Sequence, residues 1–303
     1  MKILVLGARN SVTALDRQYY QQYTDFFLAS AATTEIDLQA MNALVSDLII
    51  RVGDGVFTIS DVRNGIELNN YDAIFLRSGN FGEFFDLVAV ISEYAGINNI
   101  PIINDYAGVR NSSKLLQAVN FHSLNVPVAQ TLFIGASALP TSNVLDNWQF
   151  PCIMKATHAS HGNHNYVVNN IDDVQRIYQQ NAGIRFVLQR FVPNNGDYRI
   201  LMVGDDVLVI KRLAVDGSHL NNTSQGGEAQ LVDINDLPEI IINQSKQIMQ
   251  HLKMTIGGID VIIDKNTGQH FFLEVNTQPQ LMTGAFLDEK KKLVGKLLNN
   301  LNR

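Results

Sequence analysis

One cysteine, Cys152, stands alone in 303 residues. An internal disulfide is therefore excluded, and a reducing cytoplasm is the natural setting. Long apolar runs are missing as well. The longest, such as residues 87–91, fall far short of the roughly 20 residues that a membrane span needs. The opening MKILVLGARN is too briefly apolar for a signal peptide and reads as a first β-strand. Positive charge is scarce: 23 Lys and Arg against 29 Asp and Glu leave a net charge of −6. That balance ill suits a broad basic face for nucleic acid. Charged residues make up 17% and hydrophobic ones 46%, which places the chain among folded globular proteins. No internal repeat or low-complexity linker interrupts it, and its length suits two lobes or three small ones.

Within the first hundred residues, short Ile/Leu/Val runs alternate with amphipathic ones. Residues 3–6, 48–52, 73–76 and 100–103 are strand-like, while 12–29 and 84–95 carry apolar residues at helical spacing. Such alternation predicts an α/β fold with a parallel sheet covered by helices. Gly7-Ala8-Arg9-Asn10 lacks the G-x-G-x-x-G pattern, so no dinucleotide fingerprint follows the first strand. Asn111 and Ser112 can cap a helix that runs to Leu124, where Asn125, Val126 and Pro127 stop it. A strand over 128–134 follows. From Phe150 the texture becomes antiparallel, with strands at 152–156, 165–168, 185–190, 199–203 and 207–213. Gly204-Asp205-Asp206 is the hairpin signal between the last two. A helix over 237–252, strands over 258–263 and 270–275, and a Lys-rich terminal helix complete the chain.

The densest chemistry lies in Gly257-Gly258-Ile259-Asp260-Val261 and Leu273-Glu274-Val275-Asn276. Neighbouring strands each deliver a carboxylate, and alternation sends Glu274 and Asn276 to one face. Three oxygen-bearing side chains suit a hard cation such as Mg²⁺, which completes its octahedron with water and phosphate oxygens. The competing reading is a polar hairpin whose acids face water, although apolar neighbours flank both acids. A second, cationic set comprises Lys114, Lys155, Arg199, Lys211 and Arg212. Lys155 ends an apolar strand before the small, polar loop Thr157-His158-Ala159-Ser160-His161-Gly162-Asn163. Such a loop can turn backbone N–H groups toward phosphate while the lysine supplies charge. His158, His161 and His164 recur at three-residue spacing, but Gly162 and the surrounding Asn residues favour a loop over a metal-binding helix face. Arg77 follows a parallel strand where such sheets open toward a crevice. A substrate-carboxylate clamp and a surface ion pair are both open for it. Cys152 lies within an apolar strand and reads as core.

Taken in order, NSSKLLQ, PCIMKATHASHG, FVLQRFV, GDYRILMVGD, VIKRLA, NNTSQGGE, GGIDVII and FLEVNTQP resemble the ATP-grasp superfamily, most closely its RimK-like ligases. The resemblance covers roughly residues 100–285. It implies an N-terminal parallel α/β domain over 1–105, a first grasp lobe over 106–188 and a second, magnesium-bearing lobe over 189–303. It implies ATP and Mg²⁺ as cofactors, with two ions and Mn²⁺ as an alternative. Lys114 and Lys155 match lysines that reach nucleotide phosphates, and His161 and Gly162 lie in the phosphate lid. Gln189, Arg190, Phe191 and Val192 match the strand lining the adenine, Asp197 an acid near the ribose, and Lys211 belongs to the cationic set around the nucleotide. Asp260, Glu274 and Asn276 match the metal ligands. Arg199 and Arg212 match arginines facing the terminal phosphate and the acyl intermediate, and Asn222 an asparagine beside them.

The implied reaction is ATP-dependent carboxylate–amine ligation through an acyl phosphate. An amino acid such as glutamate is added to a small molecule, peptide or protein tail. Nucleic acid and membrane are not among the partners, and a homo-oligomer is compatible. On this resemblance Arg212→Ala is expected to cut turnover about 100-fold with little change in fold. Departures stand at Arg190, often Glu in relatives, at Gln225, at Gln278-Pro279-Gln280, and in the glycine-poor loop around Gly162. They leave two rivals: a ligase that macrocyclises a ribosomal peptide, and a nucleotide-binding regulator without catalysis.

Overall fold

A computed structural model of the chain describes residues 1–8, 13–77, 84–104, 113–135, 143–158, 163–213 and 228–302. Its N-terminal part runs β1 (Lys2–Gly7), α1 (Ala14–Ala31), β2 (Gln39–Leu44), β3 (Leu48–Gly53), β4 (Val56–Asp61), β5 (Ile66–Glu67), β6 (Ala73–Arg77), α2 (Phe85–Ile97) and β7 (Ile102–Ile103). Strands β2, β1, β6 and β7 form, in that order, the expected parallel sheet. Helix α1 starts from a capping box. Thr13 Oγ1 accepts from Asp16 N at 3.1 Å, and Asp16 Oδ2 accepts from Thr13 N at 3.1 Å.

One strand of that sheet differs from expectation. Residues 48–52 do not join it; β3 pairs antiparallel with β4, and β4 with β5, in a separate sheet. The parallel strand is instead β2, QAMNAL, whose polar Gln39 and Asn42 hide it from a search for apolar runs. Its place at the sheet edge explains why it needs no continuous apolar stretch.

The middle of the chain contributes α3 (Lys114–Ser123), β8 (Thr131–Phe133), β9 (Cys152–Ala156), β10 (Asn165–Val168), α4 (Ile171–Gln180) and β11 (Phe186–Arg190). An antiparallel sheet of order β10-β9-β11-β8 packs Cys152, Met154, Phe186 and Leu188 against Val174 and Ile177 of α4. Sequence reading passed over α4, although Ile171, Val174, Ile177 and Tyr178 recur at helical spacing. A cap adds to that signal: Asn170 Oδ1 accepts from Asp173 N at 2.9 Å.

The last part holds β12 (Asp197–Val203), β13 (Asp206–Leu213), β14 (Glu228–Val232), α5 (Glu239–His251), β15 (Ile256–Ile263), β16 (His270–Asn276) and α6 (Leu287–Leu301). The sheet order is β14-β13-β12-β15-β16, antiparallel throughout. On one face Ile200, Met202, Ile259, Val261 and Phe272 meet Ile241 and Ile248 of α5 and Phe121 of α3. On the other, Leu201 and Val203 join a core with Tyr20 and Phe27 of α1 and Val294, Leu297 and Leu298 of α6. Helix α6 crosses α1 closely at Gly295, where a Cβ would stand 2.5 Å from the Ser30 carbonyl oxygen. Among the described residues no helix is long and apolar enough to cross a membrane.

Candidate active site

The strand register assembles the site. Across β12, β15 and β16, Arg199 stands opposite Asp260, and Asp260 opposite Glu274. Two residues earlier on β12, Asp197 stands opposite Arg212 of β13. All these side chains share one face because side chains alternate along a strand. Arg199 grips Asp260 with two hydrogen bonds, Nε to Oδ1 and Nη2 to Oδ2, both 2.8 Å. Arg212 grips Asp197 likewise, at 2.6 and 2.8 Å, and its Nη2 also reaches Asp260 Oδ2 at 3.0 Å. Gly196 permits this approach. At φ +98°, it passes so near the Arg212 carbonyl that a Cβ would lie 2.5 Å from the oxygen.

Arg212, Asp260 and Asp197 are all buried, at 3%, 4% and 7% exposure, so their charges persist only as a mutually paired set. Burial works against ionisation of Asp260, but the Arg199 and Arg212 guanidiniums outweigh it and hold the carboxyl down at about 2. Burial also opposes the charge on Arg212, yet Asp260 and Asp197 raise it above the usual guanidinium range. Asp197 has less cationic support. Burial pushes it up to about 6 against the pull of Arg212. Removing Arg212 would strand the buried Asp197 and leave Asp260 to Arg199 alone. Burial and pairing of Arg212 argue against the expectation that Arg212→Ala spares the fold.

Glu274 and Asn276 complete the cluster. Asn276 Nδ2 lies 3.3 Å from Asp260 Oδ2 and 3.4 Å from Glu274 Oε1. One amide thus sits between both carboxylates, and turning it over would present a third oxygen to the same point, since amide orientation is an assignment. Two carboxylates and an amide fit Mg²⁺, which leaves much of its shell to water and phosphate. Among the described residues no group of three or more His, Cys, Asp and Glu is arranged to hold a metal ion. The third donor of this triplet is the Asn276 amide.

The lysines approach from two other elements. Lys114 Nζ lies 3.5 Å from Glu274 Oε2. It is held there by a residue that sequence reasoning passed over, Gln117, one turn further along α3. Gln117 Nε2 donates to Val275 O at 3.0 Å, and Gln117 Oε1 accepts from Val275 N at 2.9 Å. Its signal was present in the KLLQ spacing, where a buried polar residue falls on the face carrying Lys114. Lys155 Nζ donates to Gln189 Oε1 at 2.7 Å, and Gln189 Nε2 donates to Thr131 Oγ1 at 3.2 Å. Burial pushes the Lys155 ammonium down, as does Lys114, while Glu274, Asp260 and Asp197 pull it up. Lys155 on β9 therefore feels the acids of β12, β15 and β16.

Other candidates are placed elsewhere. Lys211 alternates to the face opposite Arg212, where its Nζ stands 5.7 Å from the Tyr198 ring centroid. It does not join the cationic row. Arg190, last in β11, is exposed beyond the buried Gln189. Val192 is buried with Ala129 and Ile262, and Phe191 is half-buried. Arg77 is neither set against a carboxylate nor paired on the surface. Its guanidinium stands 4.9 Å from the Tyr23 ring centroid, its Nη2 donates to Tyr19 at 3.3 Å, and its buried Nε has no hydrogen-bond partner among the described residues. His161, Gly162, Asn222 and Gln225, and the expected caps Asn111 and Ser112, lie outside the described residues. His158 and His164 bond Thr157 and Tyr166, each at 3.1 Å. Cys152 is fully buried, and burial pushes its thiol up, as a core residue requires.

Beside the guanidiniums opens a cavity of about 460 Å³ lined by Arg199, Arg212, Gln280, Thr283, Gly284 and Lys290, among others. Lys290 was hidden in the Lys-rich run of α6, where composition alone does not separate it from Lys291 and Lys292.

Known proteins resemble this chain along most of its length. A family model, the RimK-like ATP-grasp domain, matches residues 110–300. A probable alpha-L-glutamate ligase of Enterobacter sp. (strain 638) is 25% identical over 248 residues, 79% of each chain. An inositol-tetrakisphosphate 1-kinase of Xenopus laevis is 21% identical over 65% of this chain and 56% of its own. Among solved structures, the ATP-grasp ligase PsnB complexed with a minimal precursor matches with a TM-score of 0.69 at 14% identity, covering 99% of both chains. The macrocyclase MdnC of Microcystis aeruginosa MRC, bound with precursor peptide MdnA, matches at 0.65 and 15% identity, covering 99% of this chain and 100% of that one. At these identities the structural likeness is one of fold.

Proposed function

Because the chain belongs to the RimK-like ATP-grasp family, whose ligases form amide bonds from a carboxylate and an amine, we propose that it adds an amino acid such as glutamate to the carboxylate of a small molecule, peptide or protein tail. The observation that carries this reading is the paired row Arg212–Asp197 and Arg199–Asp260, with Glu274 and Asn276 at its end. In the first step a substrate carboxylate oxygen attacks the γ-phosphorus of ATP and ADP leaves. In the second, an amine attacks the acyl carbon, the C–N bond forms, phosphate departs, and the nitrogen gives up its proton.

Both steps bring anions together, so the protein's task is to neutralise charge in a fixed geometry. Lys114 and Lys155 serve the nucleotide phosphates, and Arg199 and Arg212 the transferred phosphoryl group. The pairs with Asp197 and Asp260 hold the guanidiniums rigid before substrate arrives, so little reorganisation accompanies the reaction. Asp260, Glu274 and Asn276 would hold Mg²⁺, with Mn²⁺ an alternative, and a second ion belongs to the same proposal. The metal supplies charge neutralisation at the phosphates. Gln189, Phe191 and Val192 line the adenine side. Lys211 is left out of the site on account of its face, and Arg190 on account of its exposure.

The test is calorimetric titration with a non-hydrolysable ATP analogue, with and without Mg²⁺, on the wild type and Glu274→Gln. Mg²⁺-dependent binding that weakens in the variant is expected. Absence of binding at millimolar analogue removes the reading. Product mass then separates addition of an amino acid from macrocyclisation, which only loses water.

A further inference from the structure

The cavity beside Arg199 and Arg212 contains a charge that the cluster leaves uncompensated. Arg199 is paired with Asp260, and Arg212 with Asp197 and Asp260. Lys290, on the first turns of α6, is 4% exposed. Its Nζ donates to the Thr283 carbonyl oxygen at 2.8 Å, and among the described residues it forms no salt bridge. A buried ammonium normally has a carboxylate partner. Here the charged neighbour is a second cation, Arg199, and together with burial it pushes the ammonium down to about 8. Gly284, at φ +77°, keeps the space before it open, since a Cβ there would stand 3.7 Å from Lys290 Nζ. The loop through Thr283 and Gly284 leads into α6, whose first turn carries Asp288 and Glu289; Asp288 is paired with Lys291 at 3.0 Å, and neither acid forms a salt bridge with Lys290 among the described residues.

We infer that Lys290 is a specificity-determining residue that holds a non-reacting carboxylate of a dicarboxylic amino-acid substrate in this cavity. The inference rests on the ligase reading above and deepens it. The carboxylate that becomes an acyl phosphate changes its charge during turnover and is served by the pre-paired arginines. An uncompensated cation suits an anion that persists from binding to release. The cavity, about 460 Å³, is of the size that takes a small molecule. A charged hydrogen bond from a buried ammonium is also the kind of contact that discriminates acid from amide.

Ligand-observed NMR titrations with L-glutamate and L-glutamine test this on protein saturated with Mg²⁺ and a non-hydrolysable ATP analogue. Wild type is expected to bind L-glutamate about tenfold or more tightly than L-glutamine. Lys290→Met should abolish the difference and Lys290→Arg should keep it. Without ligands, Lys290→Met should raise the melting temperature, because it removes an unpaired buried charge. Equal binding of both amino acids by the wild type overturns the inference. So does retained preference in Lys290→Met, or a lowered melting temperature in that variant. Failure of both amino acids to bind, while the nucleotide still does, overturns it and leaves the ligase reading standing. Failure of the nucleotide to bind removes both.

Discussion

Replacing Gln117 by Met keeps the volume of the side chain and removes its amide. Strand β16 lies at the edge of its sheet, so the outward N–H and C=O of Val275 have no neighbouring strand. Gln117 supplies both partners, at 2.9 and 3.0 Å. Gln117 is 2% exposed and Val275 3%, so water cannot substitute. Two buried backbone groups left unpaired cost about 1–3 kcal/mol each. Burying the thioether chain returns about 1.5 kcal/mol, which leaves a net loss of about 0.5–4.5 kcal/mol. That is a large share of the roughly 5–15 kcal/mol that separates folded from unfolded states. The same change loosens Lys114 over Glu274. Their 3.5 Å pair is partly solvated, so nucleotide affinity should fall only a few-fold. Urea unfolding measures the first effect and titration with an ATP analogue the second. A loss below about 0.5 kcal/mol with unchanged nucleotide affinity refutes the role given to Gln117.

Further outcomes follow from the same contacts. Arg212→Ala should lower ADP release about 100-fold and also cost about 3–5 kcal/mol of stability; Asp197→Asn added to it should recover part of the stability but none of the turnover. Gly258→Ala would set a Cβ 3.2 Å from Pro279 Cβ and 3.4 Å from Arg199 Cδ, so turnover should fall more than stability. ADP release compared with the unfolding midpoint decides it. Asp47 is held below the usual carboxylate range by its hydrogen bond to Arg17, at 2.6 Å, and by Leu44 N, at 2.8 Å. A depressed carboxyl contributes stability above the unfolded value near 3.9 and loses it as pH falls through the folded value. The stability difference between wild type and Asp47→Asn should accordingly be full at pH 7 and shrink below about pH 4. A difference independent of pH refutes it.

Period-two patterning made the antiparallel strands from residue 152 onward readable. Strands 152–156 and 165–168 match the structure end to end, and 258–263 and 270–275 fall within β15 and β16. Alternation likewise placed Glu274 and Asn276 on one face, and the register brings Asp260 to them. The pattern did not distinguish a strand's sheet. Residues 48–52 read like a parallel strand and pair antiparallel, while the edge strand β2 looked too polar to be one. Nor did it give Lys211 its face. Adjacent cations on a strand point to opposite sides, and only the partner across the sheet says which side is the site.

The sequence by itself determined the elements, the family resemblance and the set of charged residues available, because these depend on local periodicity and on residue order. Tertiary structure alone decided which charges are neutralised and which are not. Arg212 became a buried bridge between two carboxylates only when β12, β13 and β15 aligned. Gln117 became a strand's missing partner only when α3 met the sheet edge. Lys290 became a lone cation only when α6 folded against the cavity beside Arg199. The physical reason is that burial and pairing are properties of neighbours distant in the chain, and they set the energy of a charge far more than its identity does.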